Sequence, residues 1–141
     1  MPYATTAQIQ VAAGGAVKLV EVFDWDGDGV PDADVIAQLQ TEADSWIDSF
    51  VGKVASLPIA EPSVQLSALS ASEVVFLALD KRRMTTPDDR DGHDRRGKWL
   101  ASASRSQVVM SPAPTPAPTI RSAWVSRDTD PVSRKKLKGG W

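Results

Sequence analysis

The sequence predicts an all-α fold, a small bundle of four to five helices followed by an extended, proline-rich C-terminal arm. Three observations carry this. Apolar residues recur at three- and four-residue intervals through residues 35–51, the period of an amphipathic helix. Threonine caps and glycine stops punctuate the first half of the chain. Residues 112–119 alternate proline with small residues, which suits neither a helix interior nor a central strand. The 141 residues suffice for one ordinary domain and an arm. They divide into a helical domain over 1–110, a spacer over 111–119 and a basic, tryptophan-containing docking arm over 120–141.

Thr5 or Thr6 caps a short first helix that ends at Gly14-Gly15. A second short helix runs from Ala16 to Phe23, with Val17, Val20 and Phe23 expected to face inward. After an acidic loop, Asp32 stands where an N-cap belongs, with Asp34 in the first turn, where a negative charge suits the helix dipole. The third helix is the clearest: Val35, Ile36, Leu39, Ala43, Trp46, Ile47 and Phe50 share one face, and Gly52 is a stop. Pro58 and Pro62 mark a bend, since each biases its predecessor away from helix.

A fourth helix is expected from about Ser63 to Met84. Its stretch Val74, Val75, Phe76, Leu77, Ala78 and Leu79 is apolar on every side, which marks a helix surrounded by others or packed against another subunit. Thr86 or Asp88 starts a fifth helix whose first turns Gly92 and Gly97 loosen, each by about 1 kcal/mol relative to alanine. Val108, Val109 and Met110 are expected to be extended.

The net charge of −2 hides a polarity. Residues 1–60 carry 9 acids and 2 bases, 61–120 carry 7 and 8, and 121–141 carry 2 and 6. The spacer, at polyproline II rise, reaches about 20 Å over residues 112–118. Beyond it, Arg121, Trp124, Arg127, Arg134, Lys135, Lys136, Lys138 and Trp141 are the candidate partner-binding residues, in a segment too poor in apolar residues to fold alone. The basic run could hold phosphates non-specifically, but the acidic front would repel DNA, so an acidic protein groove is the better match. No apolar run approaches the roughly 20 residues of a membrane span, and the N-terminus lacks the pattern of a secretory signal. Cysteine is absent, so neither disulfides nor thiolate metal sites are available.

Catalytic constellations are not expected. His93 is the only histidine, sits in a charged run and should be exposed. No nucleophile elbow and no phosphate-cradling glycine loop is present. The chain is therefore expected to be no enzyme and to need no cofactor, with calcium the one candidate ligand. Asp24, Asp26 and Asp28 occupy positions 1, 3 and 5 of an EF-hand-type loop, Gly29 position 6, Val30 position 7 and Asp32 position 9. Position 12 should carry a bidentate carboxylate and is Val35 instead. A structural turn, or a weak metal site, is the resulting expectation.

Tyr3-Ala4-Thr5, the break at Gly14-Gly15, and the acidic loop running into a helix with Val35, Ile36, Leu39, Ala43, Ile47 and Asp48 resemble the Mu-like head–tail adaptor proteins of tailed bacteriophages. Leu57-Pro58, the apolar fourth helix, and Arg95-Arg96 leading to Trp99-Leu100 follow in the family's order, so the resemblance covers about residues 1–110. It implies a virion neck protein, present in the host cytoplasm during assembly. It also implies a homo-oligomeric, dodecameric ring that joins the portal to a stopper or tail-completion protein and surrounds passing genomic DNA without reading its sequence. Val74, Val75, Phe76, Leu77 and Leu79 are the expected core or oligomer contacts. Two readings compete: a calcium-binding module of EF-hand or dockerin type, which needs an acid at position 12, and a helical nucleic-acid-binding regulator, which needs a basic recognition helix.

Overall fold

A computed structural model describes residues 1–106, which form five helices: α1 (Thr6–Ala13), α2 (Ala16–Phe23), α3 (Ala33–Val51), α4 (Val64–Lys81) and α5 (Pro87–Ser106). The all-α expectation holds, with no strand among the described residues. Val108, Val109 and Met110, the spacer and the docking arm lie outside them.

Local chemistry sets the boundaries. Thr5 and Gln8 form a reciprocal capping box at α1: Thr5 Oγ1 accepts from the Gln8 amide at 3.3 Å, and Gln8 Oε1 accepts from the Thr5 amide at 2.8 Å. Gly14 and Gly15 take φ of +101° and +118°, a conformation that L side chains resist, and so reverse the chain directly into α2. There the inward face is Leu19, Val22 and Phe23; Val20 is half-buried and Val17 is exposed, contrary to the expected phase. Gly52 does end α3, but not through a left-handed conformation, since its φ is −61°. Glycine is needed because a Cβ there would stand 2.9 Å from the Asp48 carbonyl and 3.0 Å from Leu57 Cδ1.

The fourth helix ends three residues earlier than expected, at Lys81, where Arg83 turns the chain with φ +57°. Lys81, a basic residue in the last turn of α4 where a positive charge suits the dipole, also places its Nζ 2.6 Å from Glu42 Oε1 on α3. Contrary to the expected loosening, α5 is continuous through Gly92 and Gly97. It is capped by Thr86, whose Oγ1 accepts from the Asp89 amide while Asp89 Oδ2 accepts from the Thr86 amide at 2.7 Å. Gly97 lies against α3, where a Cβ would meet Trp46 Cζ2 at 3.6 Å, so packing offsets weak propensity.

α4 is the centre of the bundle and packs against all four other helices. One core cluster joins Ile9, Phe23, Leu39, Val74 and Ala78; a second joins Tyr3, Ile47, Val51, Leu66 and Leu100. Both use α3 and α4, which accounts for the long apolar face of the one and the nearly all-round apolarity of the other.

Tyr3 ties the N-terminal segment to α3 and to the bend that contains the cis Leu57-Pro58 bond. Its amide donates to Asp44 Oδ2 at 3.0 Å, its hydroxyl donates to Asp48 Oδ1 at 2.6 Å, and the hydroxyl accepts from the Ile59 amide at 3.2 Å. Burial, aided by the bond to Asp48, pushes the phenol up to about 12 from 10.0. The folded state thus favours the neutral phenol. Its stabilisation is complete below pH 10 and is lost as pH rises toward 12. Tyr3→Phe is expected to cost roughly 1–3 kcal/mol at pH 8 in urea melts, since it removes a hydrogen bond to a carboxylate and strands the Ile59 amide. The gap to wild type should narrow by pH 11.5.

Candidate functional site

The acidic loop between α2 and α3 is a web of carboxylate-to-amide hydrogen bonds. Asp24 Oδ1 accepts from the amides of Gly27 at 2.7 Å and Asp28 at 3.1 Å, and its Oδ2 accepts from Gly29 at 2.9 Å. Asp26 Oδ1 accepts from the Asp28 amide at 3.1 Å, and Asp28 Oδ1 from the Val30 amide at 2.8 Å. Gly27 and Gly29, with φ of +82° and +85°, permit the two tight reversals this requires. Asp24 titrates below the ordinary carboxylate value: desolvation opposes this, but the Gly29 and Gly27 amides outweigh it. Asp26 titrates above it. The Asp28 amide lowers it, but desolvation and the charges of Asp28 and Asp32 prevail.

Asp24, Asp26 and Asp28 each offer a carboxylate oxygen within 4.8 Å of the others. Asp32 does not join them. It occupies the N-cap position of α3 without making the side-chain cap expected of it, because its Oδ2 accepts from the Trp25 amide at 2.7 Å and closes the loop. At position 12 Val35 packs against the core, and Asp34 is exposed on the first turn of α3. The loop thus brings together three of the four expected ligands. The side chains that could complete a cage are either committed to the fold or turned out.

The apolar run of α4 is used largely within the bundle. Val74 is buried, and Val75, Phe76, Leu77 and Leu79 are partly buried. On the same helix Glu73 is 1% exposed and is held by α5. Arg96 Nε donates to its Oε2 at 3.1 Å, and His93 Nδ1 lies 3.1 Å from Oε2 and 2.8 Å from Oε1. The imidazole stacks on Phe76 with centroids 4.4 Å apart and 12° between planes, and it lies 5.0 Å from the Trp46 ring. His93 is therefore not the exposed residue its charged neighbours suggested. The signal for this cluster was Glu73 itself, a lone acid entering an apolar helix, which requires a counter-charge from elsewhere.

The sequence model of the bacteriophage Mu, Gp36 family matches residues 3–125. The chain belongs to that family. No curated protein and no solved structure matches it. The Gp36 match takes in every helix, the acidic loop, the spacer, Arg121 and Trp124, and so extends beyond the resemblance drawn from residues 1–110. Arg127, Arg134, Lys135, Lys136, Lys138 and Trp141 fall after its end. All eight of these arm residues, Arg121 and Trp124 included, lie outside the described residues. Among the described residues, no helix is long and apolar enough to cross a membrane.

Proposed function

We propose that this bacteriophage protein is a non-catalytic virion component of the neck, a head–tail adaptor that assembles as a ring between the portal and a stopper or tail-completion protein. What carries the reading is membership of the bacteriophage Mu, Gp36 family across the helical body and into the arm. The charge polarity supports it: an acidic front would keep genomic DNA from adhering to a channel wall, and a basic arm suits an acidic protein partner. The ring is dodecameric in this proposal, and the arm supplies the attachment. Co-expression with the portal of the same phage tests it. Co-sedimentation, with rings in electron micrographs of the complex, is the expected result; a chain that never sediments with its portal refutes the adaptor role.

In this proposal the acidic loop is a structural turn. Three converging carboxylates without a bidentate partner fall short of the six to eight oxygens calcium takes, so calorimetry should register no binding or only the roughly millimolar affinity of an incomplete site. A sub-micromolar dissociation constant would instead favour the calcium-module reading.

A further inference from the structure

Two stretches of the described body carry charge of one sign only. From Asp24 to Asp34 there are five acids and no base, and from Arg95 to Ser106 there are four bases and no acid. Arg96 is turned inward to Glu73, which leaves Arg95, Lys98 and Arg105 exposed along one stripe of α5. Among the described residues neither these three bases nor the five acids enter an ion pair. The amide bonds of the loop fix its shape without neutralising it. Arg95 and Arg105 likewise donate through Nε to the carbonyls of Asp91 at 3.2 Å and Ala101 at 3.1 Å and keep their charge. The helix dipole accounts for Arg105 alone, since its effect fades beyond the last turn. Within one molecule the two surfaces stand apart. On α5, Gly97 lies against Trp46 and Phe50, and from Ala33 to Trp46 is thirteen residues, about 20 Å of α3.

We infer that the outer face of α5 in one copy receives the α2–α3 loop of a second copy, with Trp25 as the anchor against Arg95 and Lys98. The inference rests on the proposed ring and names the surfaces that meet in it. Charge complementarity argues for this occupant, and the apolar content of the loop argues with it. Trp25 is 41% exposed and Val30 58%. The Trp25 indole donates from Nε1 to the Val22 carbonyl at 3.0 Å, so its ring is oriented before contact and loses little freedom on docking. An indole face bordered by carboxylates suits a guanidinium, which stacks on the one and bonds to the other. Unlike surfaces at two places on the chain meet head to tail, the heterologous contact from which rings close. A twofold pair joined through the loop would instead set acid against acid.

The absence of native cysteine makes the contact readable. Full-length protein carrying Val30→Cys and Asp94→Cys keeps Trp25, Arg95 and Lys98, and is oxidised both on the portal and free at high concentration. Disulfides between chains should build a ladder of trimers and larger species, whereas either single-cysteine chain should stay monomeric. Adding Arg95→Glu with Lys98→Glu should cut the ladder at least roughly tenfold, and so should Trp25→Ala. Both changes fall on exposed side chains, and circular dichroism should show the body still folded. Dimers from a single-cysteine chain would show like surfaces meeting and overturn the inference. So would a ladder indifferent to both changes, or no ladder in either sample, the result expected if the arm or the portal covers the stripe. Sedimentation of the unmodified chain with its portal is read separately. A chain that sediments but gives no ladder refutes this contact alone, and a ladder from free protein that never sediments refutes the adaptor role alone.

Discussion

Truncation after Met110 is expected to leave the helical body folded while reducing its copy number in assembled particles at least tenfold. Among the described residues the body is held by two core clusters drawn from residues 3–103. Far-ultraviolet circular dichroism and the melting temperature should therefore change little. Attachment should depend on the arm because tryptophan, of which it carries two, is enriched among interface hot spots. Trp124→Ala should cost about 2 kcal/mol or more of attachment, roughly thirtyfold, whereas Lys138→Ala should cost under about 1 kcal/mol and lose even that in high salt. Particles that retain the truncated protein at normal copy number and join tails normally would show the arm to be passive.

Arg96→Met is expected to destabilise the body by roughly 3–5 kcal/mol, the largest effect of any single substitution considered. Glu73 is 1% exposed, and among the described residues Arg96 is the only side chain that presents it with a permanent positive charge. Removing that charge leaves a desolvated carboxylate held, among the described residues, by His93 alone. For a body of this size the melting temperature should fall by about 12 °C or more. The companion variant carries both Glu73→Leu and Arg96→Met. It should recover most of the loss, since replacing a buried pair with apolar groups of similar volume is commonly neutral. A single-variant cost below about 1 kcal/mol would place the pair with ordinary surface ion pairs.

The elements were legible where short-range chemistry decides them. Thr5, Gly14-Gly15 and the periodicity from Val35 to Phe50 each act within one or two turns, so sequence alone places α1, the break and α3. The phase of α2 was not legible from apolar residues, because an eight-residue helix with six of them offers several inward faces. Lys18 and Glu21, paired at 2.6 Å on the solvent side, were the better guide. Gly52 is a stop, as its sequence position suggests, but for a steric reason: a Cβ there would stand 2.9 Å from the Asp48 carbonyl, with Leu57 Cδ1 at 3.0 Å on the other side. His93 was misplaced because its surroundings, Glu73, Phe76 and Trp46, come from other helices. In the acidic loop the turn chemistry was readable. Asp32's choice of the Trp25 amide over its own helix was not, because it depends on how tightly the loop closes.

The central position of α4 bears on how the molecule breathes. A helix that touches every other cannot lose its hydrogen bonds unless the whole body opens, so its amides should exchange with solvent only through global unfolding. Residues 25–30 are exposed and belong to no helix, so their amides, held only by local carboxylates, should exchange orders of magnitude sooner. In the proposed ring, any reshaping on docking would be confined to the periphery, where the loop and the bend lie, while the central rod keeps its form.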